Sequence, residues 1–188
     1  HAWKRQSVRM MGLKPGDRVL DLCGGTGDLA ILAARRVGPS GRVVICDINW
    51  EMMAAGRGKV AASANGRRIC HTQGNAENLP FADGGFEAAM VGYGIRNVTH
   101  PERGFQEMFR VLAPGGVMMC LEFSKPTDPL FRSLYDFYSF QIMPQLGELL
   151  AGSRQAYTHL PESIRTFPLP DQLSEMLRGI GFARVGYR

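Results

Sequence analysis

The chain predicts an α/β protein with a doubly wound, mostly parallel sheet, and three observations carry that expectation. Short apolar runs alternate with helix-like segments along most of its length. One run, Arg18-Val-Leu-Asp-Leu-Cys23, passes straight into the glycine turn Gly24-Gly-Thr-Gly27 and then into a helical pattern, as nucleotide-cofactor turns do. Asp47 closes the next apolar run twenty residues after Gly27, where a ribose-binding acid belongs.

Taken in order, strands are expected at 18–23, 42–47, 68–72, 86–91 and 116–122, with helices over 27–37 and 50–64. Pro101 opens a third helix, in which Phe105, Met108 and Leu112 share one face. Ala113-Pro-Gly-Gly116 ends it and starts the fifth strand. Residues 129–150 carry apolar and aromatic groups too widely around a helix for a one-faced surface helix, so they read as a buried core helix or a lid over a lipophilic substrate. A last helix places Leu173, Met176, Leu177 and Ile180 on one face, before a final strand from Phe182 to Arg188. Ligands of such sheets bind beyond the carboxyl ends of the strands, so the residues ending each strand are the place to look for chemistry.

A chain of 188 residues with 45% hydrophobic residues reads as a single domain with a substantial core, residues 129–168 forming a substrate lid. Lys and Arg number 22 against 17 acids, and the net +5 suits an anionic membrane surface. No Lys/Arg run exceeds two residues, which argues against a nucleic-acid arm. Cys23, Cys46, Cys70 and Cys120 each lie in or end an apolar run and read as small buried hydrophobes, and no CxxC or close His pair points to a metal. His71 reads as a strand-end residue and His100 as a loop residue. With no apolar stretch near the roughly eighteen residues of a spanning helix and no secretory leader, a cytoplasmic protein is expected. The abrupt start at His1 and the stop within the last expected strand suggest an incomplete chain.

Asp21 decides between cofactors. A dinucleotide would lay its pyrophosphate over the glycine turn, and like charges about 4 Å apart repel by roughly 4 kcal/mol at an effective dielectric of about 20. S-adenosylmethionine (SAM) brings an ammonium and a sulfonium there instead, which a carboxylate attracts. Asp47 would take the ribose hydroxyls and Thr26 the methionine end, while Gly25 and Gly27 would let the main chain approach the cofactor. Asn75, after the third strand, is the adenine candidate, against an ordinary Asx-turn role. The fourth strand ends in Gly92-Tyr-Gly-Ile-Arg96-Asn97, where glycines admit a ligand and Arg96 and Asn97 offer donors.

The turn with Asp21 and Asp47 resembles class I SAM-dependent methyltransferases, with Cys23 where a glycine is usual. Segments 74–81, 94–98, 110–116, 121–126 and 162–168 make the chain resemble, over nearly its whole length, the ubiquinone/menaquinone biosynthesis C-methyltransferase family. The resemblance implies a Rossmann-like fold and SAM-dependent methylation of a polyprenylated benzoquinol or naphthoquinol ring carbon, at a membrane surface visited transiently from the inner face. It implies SAM contacts at Thr26, Asp47, Asn75, Ala76 and Gly92, and a ring-oxygen role for Arg96 with Asn97. Arg96 would act as a fixed cation for a phenolate, with Tyr135, Tyr138, His159 or Glu162 as proton acceptors. The pair Asn75-Ala76 leans toward the menaquinone branch. Departures are Ala113 in place of a lysine, His159 in place of an aromatic residue, and the lack of the family's segments ahead of Trp3 and after Tyr187. A homodimer or a quinone-synthesis complex is the expected assembly. Competing readings are a methyltransferase for another lipophilic or phenolic acceptor and a non-catalytic SAM-binding member of such a complex.

Overall fold

The computed structural model describes residues 2–124 and 162–188. Five parallel strands, β1 (Arg18–Leu22), β2 (Arg42–Asp47), β3 (Ile69–Gln73), β4 (Phe86–Gly92) and β5 (Leu112–Leu121), form one sheet in the order β3-β2-β1-β4-β5. The described helices are α1 (Ala2–Met10), α2 (Asp28–Val37), α3 (Trp50–Ala61), α4 (Pro101–Val111) and α5 (Pro170–Ile180). The strand order turns back between β1 and β4, which opens a crevice at their carboxyl ends.

The central strands are apolar on both faces because helices cover both. Val19, Leu20 and Leu22 of β1 and Ala88 to Val91 of β4 are buried. α2 buries Leu29, Ala30, Ile31, Ala33, Ala34 and Val37, and its alanines let it lie close to the sheet. α4 presents Phe105 and Met108 inward, as their spacing predicts. It ends at Val111, however, so Leu112 is already in β5. The ladder with β4 pairs Phe86 with Leu112 and next Ala88 with Val117. The intervening Ala113-Pro-Gly-Gly116 is a bulge within the strand rather than a turn before it: Pro114 has no N–H to donate and Gly115 takes a φ of +79°.

Two further boundaries differ. α3 stops at Ala61, because the Ser63 hydroxyl donates to Val60 O and Asn65, at a φ of +63°, donates its side-chain amide to Ala34 O. α1 has no counterpart among the expected elements; it is nine residues long and Val8 is its one buried residue, too little for an apolar period to show.

The chain divides into two compact units, His1–Glu122 with Ile180–Phe182, and Phe123–Gly179 with Ala183–Arg188. The first holds the sheet and α1 to α4. In the second, Ile164, Phe167 and Leu177 are buried, whereas Leu173 and Met176 of α5 are only half-buried. The expected final strand at 182–188 is not formed: these residues pair with no strand among those described, and the Tyr187 hydroxyl donates to Asp171 at 2.6 Å instead. The segment 129–150 and the candidates Tyr135, Tyr138 and His159 lie outside the described residues.

Candidate functional site

The turn after β1 is built around Asp21. Cys23, Gly25 and Gly27 take φ values of +51°, +48° and +82°, and Gly27 N donates to Gly24 O at 2.8 Å to close it. Gly27 caps α2 but has no side chain to receive an amide. Asp21 supplies that group from the strand, its Oδ2 accepting from Ala30 N at 2.9 Å, the position that a helix-capping side chain ordinarily serves. A Cβ on Gly24 would sit 2.9 Å from the same carboxyl, so the glycine there makes room for Asp21. The carboxyl is fully buried and its Oδ1 has no hydrogen-bond partner among the described residues. Burial pushes its pKa up to about 7, against the opposing pull of the Ala30 amide and of Lys4. An orphaned acceptor of this kind suits a cationic ligand and repels an anionic one.

Asp47, ending β2, is tied to the same turn. Its Oδ2 accepts from Gly25 N at 2.9 Å and its Oδ1 from Asn49 N at 2.8 Å, and Asn49 in turn caps α3 through Met52 N. Each carboxylate oxygen keeps a lone pair for a ligand. Ile48 and Met52 are exposed beside it, 67% and 48%, and a Cβ on Gly25 would lie 3.5 Å from Met52 Cε. These two apolar neighbours were not among the expected site residues; their signal was apolar residues placed at the open end of a strand next to the acid. The Thr26 hydroxyl accepts from Lys59 at 3.1 Å. Asp28, in the first turn of α2, is clamped by Lys4 of α1 and Lys59 of α3, and both lysines hold its carboxyl below its usual range.

The glycines act differently from expectation. A Cβ on Gly27 would strike Ile45 and Val60 at 2.9 Å, and one on Gly92 would meet Leu29 at 2.5 Å. A Cβ on Gly94 would run into Cys23. These three are glycines because a Cβ would collide with the chain itself; of the expected cradle, Gly25 faces the open space beside Asp47.

At the other side of the crevice, Tyr93 takes a φ of +60° and donates its N–H to Leu121 O at 2.8 Å, which fixes the end of β4 to the end of β5. Ile95 to Asn97 make one 3-10 turn. Arg96 Nη1 donates to Glu122 Oε2 at 2.6 Å, and the two side chains are only 9% and 4% exposed. The expected fixed cation is thus half of a buried ion pair. Asn97 is exposed. Glu122 is the functional candidate that the sequence reading passed over, although it is the acid that follows β5.

The loop after β3 is largely self-contained. Asn75 Oδ1 accepts from Glu77 N at 2.9 Å, an Asx turn, so only its side-chain nitrogen remains for adenine. Ala76 is buried. Glu77 binds the backbone N–H and ring of His100, a loop residue capping α4, and Arg110 holds the carbonyls of Leu79 and Phe81. His71 stands in β3 with Nε2 buried and its pKa lowered by burial. The four cysteines are free thiols; burial pushes Cys23 and Cys46 up to about 12, so both stay protonated, whereas Cys70 is exposed on the edge strand rather than buried. Among the described residues no cluster could hold a metal ion. Glu162 is exposed.

The structure therefore brings Asp21, Gly25, Thr26, Gly27, Asp47, Asn75, Ala76, Gly92, Arg96 and Asn97 to one edge of the sheet. Comparison with known proteins relates both the fold and the sequence to methyltransferases. The fold is similar to a SAM-dependent methyltransferase from Aquifex aeolicus, with TM-score 0.70 and 18% identity, covering 98% of this chain and 81% of that one. It is similar also to phosphoethanolamine N-methyltransferase 2 of Haemonchus contortus in complex with S-adenosyl-L-methionine, with TM-score 0.67 and 17% identity, over 96% of this chain and 36% of that one. In sequence it is 44% identical over 185 residues to the ubiquinone/menaquinone biosynthesis C-methyltransferase of Stutzerimonas stutzeri, spanning 98% of this chain and 72% of that protein. The corresponding Legionella pneumophila (strain Paris) protein is 43% identical over 187 residues, 100% of this chain and 75% of that protein. The family model of the ubiE/COQ5 methyltransferases matches residues 1–188, and the chain belongs to that family of SAM-dependent enzymes.

Proposed function

We propose that this chain methylates a ring carbon of a polyprenylated quinol, either demethylmenaquinol or a ubiquinol precursor, in the making of respiratory quinones. The observation that carries the cofactor half of this reading is Asp21: a buried carboxylate with one oxygen unpartnered, beside a turn where a phosphate would be repelled. SAM supplies a methyl group on a sulfonium, and the residues present fit it. Asp21 faces its cationic methionine end together with Thr26, Asp47 holds the ribose, and Ala76 with the side-chain nitrogen of Asn75 serves adenine between Ile48 and Met52. On the acceptor side, Arg96 and Asn97 address a ring hydroxyl, and Gly92 keeps the strand end low between the two halves. The protein's task is to hold carbon and methyl at attack distance and to let the hydroxyl ionise.

Residues 129–168 serve in this reading as a lid over the lipophilic chain. No described helix is long and apolar enough to cross a membrane. α1 instead exposes Trp3 and Met10, with Arg5 and Arg9 exposed elsewhere on its surface, which supports a brief visit to an anionic membrane surface to collect the substrate. A homodimer or a quinone-synthesis complex remains part of the proposal. The test is incubation with SAM and a short-chain demethylated quinol, kept either reduced or oxidised. The reduced ring should be methylated and the oxidised one left untouched, because only the hydroquinone can ionise to a nucleophilic phenolate. Methylation of the oxidised quinone, or of simple phenols in preference to quinols, would overturn the reading.

A further inference from the structure

We propose that Glu122 takes the proton of the substrate's ring hydroxyl, and that doing so uncovers the positive charge of Arg96 for the oxygen left behind. The inference rests on the quinol reading above and adds the residue that makes the nucleophile. Its basis is the ion pair at the ends of β4 and β5. Glu122 directly follows Leu121, whose carbonyl is bound by Tyr93 N, so the acid stands beside the loop that carries Arg96 and Asn97, at the ligand edge of the sheet. Its Oε2 lies 2.6 Å from Arg96 Nη1, in surroundings that leave 4% of its side chain exposed.

The electrostatic argument is one of charge balance. While Glu122 is ionised, the pair is neutral overall, and Arg96 has little net attraction to offer an anion. If the hydroxyl lost its proton to bulk water while Glu122 stayed ionised, the ring oxyanion would form beside a second carboxylate, which is unfavourable in a low-dielectric setting. If the proton passes to Glu122, the pair becomes cationic at the moment the ring oxygen becomes anionic, and the buried net charge does not change. The O–H bond breaks with its electron pair passing into the ring. The ring carbon forms its bond to the methyl group as the S–CH3 bond breaks, the pair staying on sulfur. The ring carbon then loses its own proton to water, and the proton on Glu122 returns to the oxygen, so one proton leaves overall.

Other described groups around Glu122 do not compete. Cys23 at the end of β1 and Cys120 in β5 both feel its charge, and burial, with that charge, holds each thiol protonated. Asp21 carries an amide on one oxygen and faces the turn. Lys4 of α1, 6.0 Å over the Tyr93 ring, is committed to Asp28. Tyr93 and Asn97 complete the loop.

The decisive variant is Glu122→Gln, which keeps the shape and an oxygen acceptor. Its turnover of reduced quinol near pH 7 should fall by about a hundredfold and then rise about tenfold per pH unit toward the ionisation of the quinol itself, a rise that wild type does not show. Glu122→Asp should keep the wild-type profile at lower turnover. A second readout needs no turnover: binding of 2-prenyl-4-nitrophenol, whose anion is yellow, in the presence of S-adenosylhomocysteine, followed by calorimetry in buffers of different ionisation heat. At a pH well below the ionisation of the free nitrophenol, wild type should bind the anion with no proton released to buffer, and Glu122→Gln should release one proton per anion bound. A Glu122→Gln profile parallel to wild type, or equal proton counts, would overturn the assignment. Should the single variant not fold, Arg96→Gln with Glu122→Gln removes both charges, and the same alkaline rise is expected of it. Wild-type protein that methylates no quinol would refute the parent reading, while the proton count would still decide the role of Glu122.

Discussion

Two carboxylates are buried at the ligand edge of this sheet, and they are kept there by opposite means. Asp21 in β1 has a helix amide on one oxygen and no partner among the described residues on the other, and burial raises its pKa to about 7. Glu122 after β5 carries its own cation, Arg96 at 2.6 Å. The first offers an acceptor suited to a positive ligand; the second is an ion pair that, on the proposal above, a proton opens. On the proposed function the difference matches what each half of the crevice would handle, a cationic methyl donor on the β1 side and a hydroxyl about to become an anion on the β4–β5 side.

The strongest way to break this comparison is Arg96→Ala. Removing one member of a buried pair leaves the other charge uncompensated, which costs about 3–5 kcal/mol of stability. Turnover should fall with it by about a hundredfold or more, while SAM affinity in the folded fraction changes little. Chemical denaturation of Arg96→Ala beside Arg96→Gln with Glu122→Gln tests the point, because replacing both partners should be nearer neutral. If Arg96→Ala is as stable as wild type, the Arg96–Glu122 pair does not contribute to stability as a buried ion pair.

Asp21→Asn tests the other half. In the folded chain the carboxyl binds a proton up to about pH 7, whereas in the unfolded chain it has released it by about pH 4. The folded state therefore holds more protons between those values, and stability falls as pH rises through the window, then stays level. The asparagine variant should lack that slope and be more stable above about pH 7, by roughly 1–2 kcal/mol once the amide's own unpaired donor is counted. Its SAM affinity should drop about tenfold or more. In wild type, binding a cation beside Asp21 expels the proton, so SAM affinity should weaken below about pH 7 by up to about tenfold per unit, and this dependence should vanish in the variant. Isothermal titration across pH measures both; a flat wild-type profile would mean that Asp21 does not face the cofactor.

Asp47 belongs to the first half, and Asp47→Ala should weaken SAM at least about tenfold through loss of charge-assisted hydrogen bonds of roughly 1.5–3 kcal/mol each. Because Asp47 also receives Gly25 N and Asn49 N, part of that loss would come from a loosened turn. Guanidinium unfolding of the same variant separates the two contributions.

The parallel sheet and the positions of most of its strands were legible because they rest on short-range pattern: apolar runs, a glycine turn and an acid at fixed spacing. What the sequence hid was partnership. Nothing local says that Arg96 meets Glu122, since 26 residues separate them and only the β4–β5 ladder brings them together. Nor does a glycine announce what presses on it, so Gly27 and Gly92 read as ligand glycines although Ile45, Val60 and Leu29 are what they accommodate. The side chain of Asn75 was visible both as a turn former and as an adenine ligand, and geometry commits its oxygen to the turn. The fifth strand was entered four residues late because a Pro-Gly-Gly bulge has the same composition as a turn.

Cys23 sharpens the comparison at its smallest scale, because its side chain lies between the two halves. It sits at a φ of +51°, where a glycine would be unstrained, and its Cβ fills the space that Gly94 leaves open. Cys23→Gly would relieve about 1 kcal/mol of left-handed strain. Against this it would add roughly 0.5–1 kcal/mol of unfolded-state freedom and lose the packing of a buried thiol, so the stability change should stay within about 1 kcal/mol of zero. SAM affinity and turnover should both remain within about threefold of wild type, since the thiol is protonated and supplies neither charge nor nucleophile. A large loss of turnover with SAM affinity intact would show that the Cys23 side chain shapes the acceptor half, and that the two carboxylates are not separate devices.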